Sequence, residues 1–452
     1  MSAAAIASSK SGSMSLKLAV YRLSWTIFLP LIVLYLLLRS LKDKRYRYFI
    51  PERFGFYNIT ANATIWIHAN SLGEVRSAAA FLKAYLDRGE ALVVTNMTPA
   101  GRSMTKALFA DQVATGQLMI VYVPFEFKWV YRRFFNAFRP KVGLVMEAEI
   151  WPQMIMSSKQ AKIPLFLCNA QYSMRNKRKS KGRFLANICR EYGGIIAKSN
   201  TQAERFRNIG CQNITVCGET RFDQDIPASQ IHAAKALRPL LGGRAVVTVA
   251  SVVADEAALY QQTYQALIAK ADAQQRPRPF FVHVTRAPER FLTDYKTLTA
   301  AGLTVLRRSQ VLDDTLAPLP NVDWQSADVL VGDSLGEMNF FQSLADVVSV
   351  SGSFSPQGSH NICEPIALGK PVINGPVIWP IEYPAVEAID EGALYLVQTP
   401  EELTEAIDAL LTNPDELRNR QQAAQAFLAK YSGAVDKTLA VIDAVLKNDG
   451  AT

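Results

Sequence analysis

Cysteine is scarce in this chain and never clustered. The 452 residues carry five (Cys168, Cys189, Cys211, Cys217, Cys363), with no CxxC spacing among them. That excludes a dense disulfide framework and a zinc knuckle, and it fits a reducing compartment. Histidine is scarcer, four residues in all, too few for a His-rich metal site. No internal repeat or long low-complexity tract occurs, which leaves repeat arrays out. Acidic residues fall short of basic ones, 40 against 49, and the formal charge of +9 calls for anionic partners: nucleic acid, acidic lipid or a phosphorylated substrate. What is plentiful is apolar surface. At 49% hydrophobic, a chain of this length fills two ordinary cores, so two domains are expected.

Only one long apolar run is present, and it decides among those partners. Met1 to Ser15 is small and polar and is expected to be disordered. Leu18 to Leu38 is broken only by Arg22, Ser24 and Thr26, and is densest from Trp25 to Leu38. That dense part is short of the roughly 20 residues a spanning helix needs. Arg39, Lys42, Lys44, Arg45, Arg47 and Arg53 follow, interleaved with Tyr46, Tyr48 and Phe49. No small-residue cleavage site comes after the run, so an uncleaved anchor is expected, spanning or lying in the interface, with a basic aromatic skirt on anionic headgroups. The excess of downstream over upstream cations places the body on the cytoplasmic side.

From Ile65 onward short apolar strands alternate with helices. Ile65–His68, Ala91–Thr95, Met119–Val123, Val142–Met146, Pro164–Cys168 and Ile195–Ala197 read as strands of a parallel sheet buried on both faces. Asp223 to Gly243, with Pro227, Pro239 and a Gly-Gly pair, reads as an interdomain connection. The alternation resumes with Ala245–Ala250, Phe280–Val284, Leu303–Leu306, Val329–Val331 and Val347–Val350. The expected architecture is therefore α/β. Residues 1–50 form the disordered start and membrane helix, 51–226 an N-terminal domain, and 227–452 a C-terminal domain with terminal helices.

The chemistry-bearing residues gather at predicted strand ends, where open α/β sheets bind ligands. Asn70-Ser71-Leu72-Gly73-Glu74 puts a carboxylate at a strand end and helix start. In Met146-Glu147-Ala148-Glu149 two acids alternate, one toward solvent and one toward a cleft. Arg286 follows a strand and suits bidentate phosphate contact. Gly332-Asp333-Ser334-Leu335-Gly336-Glu337 offers backbone N–H groups. The loop from Ser351 leads into a helix opened by Glu364-Pro365 and closed by Gly369, with Glu364 placed to accept from a vicinal diol such as a ribose.

The motifs H-A-N-S-L-G-E (68–74), M-E-A-E-I-W-P (146–152), G-E-T-R-F-D (218–223), P-E-R-F (288–291), G-D-S-L-G-E (332–337) and G-S-H-N-I-C-E-P (358–365) together resemble those of the 3-deoxy-D-manno-octulosonic acid (Kdo) transferases of lipopolysaccharide synthesis. The likeness covers nearly the whole chain. It implies an inverting glycosyltransferase of the GT-B type, with two Rossmann-like domains facing a central cleft, on the cytoplasmic face of the inner membrane of a Gram-negative bacterium. The implied reaction moves Kdo from CMP-Kdo to a lipid A precursor, lipid IVA. By the same likeness Glu74 is the general base, and Glu147 and Arg221 support the transition state. Thr285, Arg286, Leu335, Gly336, Glu337, Asn361, Ile362, Cys363 and Glu364 contact the cytidine nucleotide.

No cofactor is implied beyond the donor CMP-Kdo, and no metal, since the nucleotide carries one phosphate; Asp223-Gln224-Asp225 is read as loop. The acceptor is a bisphosphorylated, membrane-embedded lipid. The basic run Arg175, Lys177, Arg178, Lys179 and Lys181 is expected to face it or an anionic membrane surface, with Arg132 and Arg133 beside it. Nucleic acid is not an expected partner. The chain departs from the family at Ser251–Glu256 and at Thr285-Arg286-Ala287, where family histidines are absent, and at Arg221, where the family carries lysine. These departures motivate the alternative, a related membrane-bound glycosyltransferase using another nucleotide sugar. A decayed, non-enzymatic binding protein is disfavoured by an intact Glu74.

Overall fold

The computed structural model describes residues 3–172 and 183–449. The chain divides into two units, one of residues 1–224 together with 433–452 and one of residues 225–432.

The first unit is built on a seven-stranded sheet: β1 (Ile65–His68), β2 (Leu92–Asn96), β3 (Leu118–Tyr122), β4 (Val142–Met146), β5 (Leu165–Ala170), β6 (Gly194–Ala197) and β7 (Ile214–Val216). Their order across the sheet is 3-2-1-4-5-6-7, and every pairing is parallel. β1 to β6 are buried along their whole length, because helices cover both faces; this is why they read as unbroken apolar runs. One core layer joins Ile65, Ile67, Val94 and Leu144 to the helix Leu72–Asp87 through Val75, Phe81 and Leu82. The other joins Trp66, Val93 and Val145 to Tyr131, Phe134 and Phe138 of the helix Lys128–Phe138. The order reverses between β1 and β4, which makes their carboxyl ends the switch point where such sheets hold ligands.

The second unit repeats the plan with β8 (Val246–Val252), β9 (Phe280–Thr285), β10 (Val305–Arg307), β11 (Val329–Gly332), β12 (Val347–Val350), β13 (Val372–Asn374) and β14 (Leu394–Leu396). Their order is 10-11-9-8-12-13-14, all parallel, with the switch point between β8 and β12.

Several expectations are corrected. The N-terminal segment is not a disordered lead into a separate helix: one helix runs Ala3–Lys42, starting in a run of alanines, strong helix formers, and passing through serines and Gly12. The stretch read as a connection holds the helix Ala228–Leu237, whose Ala234 and Leu237 enter the second core. The edge strands β7 and β14 were missed; at three residues, partly exposed, they carry too little apolar pattern to read. The helix after the 351–361 loop is only Cys363–Ala367, shorter than the span to Gly369.

The chain's end also departs from the division at residue 227. The helix Ala434–Asp449 belongs to the first unit, where Val435, Leu439 and Ile442 join the core under the helix Leu72–Asp87. Asp223 starts that helix by accepting from the backbone N–H of Gly433 and of Val435, both at 2.7 Å. Arg88 and Tyr85 reach Asp443 at 2.8 and 3.3 Å. Asp223 is thus a structural cap.

Candidate active site

In the first unit, the carboxyl ends of β1, β4, β5, β6 and β7 each contribute a polar side chain. Ser71 caps the helix that follows β1, accepting from the Glu74 N–H at 3.4 Å, and Glu74 reaches back to the Asn70 N–H. The pair resembles a capping box, with the acid reaching one residue beyond the cap. It locks the position of one Glu74 oxygen. Burial nonetheless raises the Glu74 pKa to about 8, with the nearby Glu149 and Glu147 carboxylates adding to the rise and the Asn70 N–H opposing it. A carboxyl poised near neutral pH at a sheet's switch point suits proton abstraction.

Glu147 begins the loop after β4 in the left-handed region, at φ 63°. That turn breaks the expected alternation of the two acids. Rather than one facing solvent, both Glu147 and Glu149 come near enough to Glu74 to act on its charge. The Glu147 carboxylate accepts from Ser77 Oγ at 3.0 Å and from the Arg221 guanidinium at 2.6 Å. Arg221 also donates to Ser77 Oγ at 3.2 Å. Glu149 accepts from Trp151 Nε1 at 2.5 Å, and its pKa is raised, chiefly by burial.

Behind Arg221 stands a buried support not singled out from the sequence. Lys198, after β6, pairs with Glu219, after β7, at 2.8 Å; both are essentially inaccessible. Glu219 also accepts from Asn169 Nδ2 at 2.9 Å and from the Arg221 N–H at 3.2 Å. Burial pushes the Glu219 carboxyl up, but Lys198 and Arg221 outweigh it and hold its pKa at about 2. Asn169 itself is left-handed, at φ 51°. Non-glycine residues held in that region cost energy and cluster at functional sites. Glu219 lay within a motif quoted from the sequence; Lys198 and Asn169 carried no pattern.

The second unit presents a different chemistry at its own strand ends. Glu256, after β8, is buried and gathers the loop after β12: it accepts from Ser351 Oγ and the Gly352 N–H at 2.8 Å and from the Phe354 N–H at 2.7 Å. Gly352 sits at φ 90°, and a Cβ there would lie 2.4 Å from the Gly358 carbonyl oxygen, so only glycine fits. Arg286, after β9, is exposed, and among the described residues its guanidinium has no hydrogen-bond or ion-pair partner. His360 lies close enough to feel its charge: burial first, then Arg286, lower the imidazole pKa to about 4. The His360 Nε2 is buried with no partner among the described residues.

Thr285 is turned inward, donating to Asp294 at 2.8 Å; Asp294 also takes Arg290 at 2.6 Å. At the end of β11, next to β9, Leu335 is 72% exposed. Gly336 offers its carbonyl to Gln230 at 2.9 Å. The Glu337 carboxylate is clamped by Arg308 at 2.5 and 2.7 Å and held by Ser334. Asn361 accepts from the Cys363 N–H at 2.9 Å; Ile362 and Cys363 are buried, and Glu364 is half-buried. Of the residues expected to contact the nucleotide, Arg286 keeps an unpaired guanidinium among the described residues, while the Thr285 and Glu337 side chains and the Gly336 carbonyl are engaged within the unit. Arg175, Lys177, Arg178, Lys179 and Lys181 lie outside the described residues.

Residues 49–224 match the family profile described as 3-deoxy-D-manno-octulosonic-acid transferase (kdotransferase). A 3-deoxy-D-manno-octulosonic acid transferase of Bordetella pertussis is 33% identical over 434 residues, covering 94% of this chain and 98% of that protein. One from Haemophilus influenzae is 28% identical, covering 93% and 96%. Among solved structures, a glycosyltransferase from Rickettsia africae shares the fold at a TM-score of 0.57 and 13% identity, covering 87% of this chain and all of that one. The identity held along almost the full length of both proteins, on a scaffold of two parallel α/β units, leads to one conclusion: this chain belongs to the 3-deoxy-D-manno-octulosonic acid transferase family of GT-B glycosyltransferases.

Proposed function

We propose that this Kdo transferase takes its sugar from CMP-Kdo and delivers it to a lipid A precursor, lipid IVA, at the cytoplasmic face of the inner membrane. The observation that carries the reading is Glu74, a half-buried carboxyl with its pKa raised to about 8 beside two further acids and a paired arginine. Ionised Glu74 takes the proton of an acceptor hydroxyl, and the freed oxygen attacks the anomeric carbon from the face opposite the phosphate. The bond from anomeric carbon to phosphate oxygen breaks, CMP leaves with the electron pair, and the anomeric configuration inverts. Glu147, held by Ser77 and Arg221, faces the oxocarbenium character of the passing sugar, and Arg221 is matched to its carboxylate.

In the second unit Arg286 meets the phosphate. His360, neutral at physiological pH, adds no charge and leaves an unsatisfied nitrogen for a hydrogen bond. The backbone of the loop from Ser351 and Glu364 meet the nucleoside. With a single phosphate to neutralise, arginine and backbone N–H groups suffice, and transfer is expected to persist in a chelator.

The test is transfer from CMP-Kdo made in situ to lipid A precursor in detergent. Glu74→Gln, which keeps the cap but not the base, is expected to lose about 10²-fold or more. Equal turnover by the variant would sink the base assignment. A folded wild type that forms no product and binds a different nucleotide sugar would favour the alternative donor, which the absent family histidines at Ser251–Glu256 and Ala287 motivate.

A further inference from the structure

The helix Ala3–Lys42 is long and apolar enough to cross a membrane from Leu16 to Lys42. We infer that it does not cross: it lies in the plane of one leaflet, docked lengthwise on the first unit. This rests on the membrane association proposed above and adds the orientation.

The apolar stretch of the helix, Leu16–Lys42, is fastened near both its limits to the same folded unit. Near the start of that stretch, at the middle of the helix, Tyr21 donates to the buried Glu126 at 3.0 Å and Arg22 to Gln153 at 2.7 Å. Trp25 packs on Phe125 and Phe127, with ring centroids 6.2 and 6.3 Å away. Near its finish, Leu36 and Ser40 are buried and the chain folds back at once: Arg39 lies over the Tyr46 ring at 4.7 Å. The segment after that turn is pinned to the unit by Arg53 on the Met97 carbonyl at 2.7 Å and Glu52 on Arg102 at 2.5 Å. Tyr21 and Ser40 are about 28 Å apart at ~1.5 Å per residue. A helix spanning a ~30 Å hydrocarbon core must leave its soluble body at one end. Here the apolar stretch meets the body at Tyr21–Trp25 and the chain meets it again just past Lys42, where Arg45 donates to Ser103 Oγ at 3.4 Å.

The two faces differ accordingly. Leu18, Tyr21, Arg22, Trp25, Leu36 and Ser40 recur at helical spacing and face the unit. Val20, Leu23, Ile27, Leu31, Leu34 and Leu38 form the opposite stripe, each at least 50% exposed. The single cation inside the apolar run, Arg22, is turned onto Gln153, so the outward stripe holds no charge to bury in lipid.

The occupant is an anionic phospholipid leaflet. Its acyl region takes the stripe, and its headgroups meet cations stacked on exposed rings beside the helix: Arg47 on Tyr48 at 5.7 Å, and Arg133 on Phe56 and Trp129 at 4.2 and 4.8 Å.

The test uses the full chain in vesicles of phosphatidylethanolamine and phosphatidylglycerol. The native cysteines are buried, so labels enter only at L23C, I27C, L31C or L34C on the outward stripe. Spin-label depths are expected to be uniform and shallow, about 5–10 Å below the headgroups. A3C is expected to react with a membrane-impermeant maleimide from the side bearing the body. Depths that pass progressively through the midplane, with A3C protected, would overturn the in-plane helix and leave the membrane reading standing. A protein that binds no vesicles at all would overturn both.

Discussion

Glu74 shows how one residue can answer to two demands. As an acceptor of the Asn70 N–H it fastens the start of its helix to the end of β1. As a half-buried carboxyl beside Glu149 and Glu147 it keeps its proton up to about pH 8. The base must be ionised to work, so kcat/KM should rise about tenfold per pH unit below 8 and level off above it; a profile flat from pH 6 to 9 would contradict the assignment. The same shift has a stability sign. The folded pKa lies above the unfolded one, so this group's contribution is present at low pH and is lost as pH rises from about 4.5 through about 8. Melting curves across that window should decline less in Glu74→Gln. The buried Lys198–Glu219 pair predicts a different outcome. Lys198→Met leaves a carboxylate stranded and should cost about 3–5 kcal/mol in denaturant unfolding, while Lys198→Met with Glu219→Gln should recover most of it. Glu74, Glu147 and Arg221 were legible as motif residues. Lys198 and Asn169 were not, because a lone lysine after a strand and a left-handed asparagine leave no periodic trace.

At the scale of elements, the strands were readable because burial on both faces leaves near-continuous apolar runs, and Ile65–His68, Val142–Met146 and Val347–Val350 fall where that pattern places them. The short edges β7 and β14 were not, and the helix Ala228–Leu237 was hidden by flanking prolines and glycines. The loop after β12 was legible as a glycine-bearing turn, but its fastening was not: Glu256, nearly 100 residues earlier, supplies the acceptor for its N–H groups. Glu256→Ala should therefore weaken CMP binding about tenfold or more by calorimetry while leaving the protein folded, and Gly352→Ala should do the same through its clash with Gly358. Unchanged affinity in both would detach this loop from the nucleotide.

At the scale of the molecule, the chain does not end in the unit where it spends its second half. Asp223, among the last residues of the first half, and the return helix Ala434–Asp449 close the first unit. Truncation after Ser432 should lower the stability of the first unit selectively, seen as faster exchange of amides in β1, β2 and β4 with β8, β9 and β12 unchanged. Equal loss in both sheets would contradict that division.

The sequence by itself determined the class of fold, the family, the strand ends where the candidate site residues gather and the presence of an apolar N-terminal helix, because periodicity, turn residues and short motifs are local and survive in one dimension. The tertiary structure alone decided that Glu149 joins Glu147 beside Glu74, that Lys198 and Glu219 stand behind Arg221, that the Thr285 and Glu337 side chains are engaged within their unit, and that the first helix is tied to the first unit at Tyr21 and Arg22. Each of these depends on residues distant in sequence meeting in a buried place. Burial and charge there set protonation and pairing, and neither quantity exists until the chain has folded.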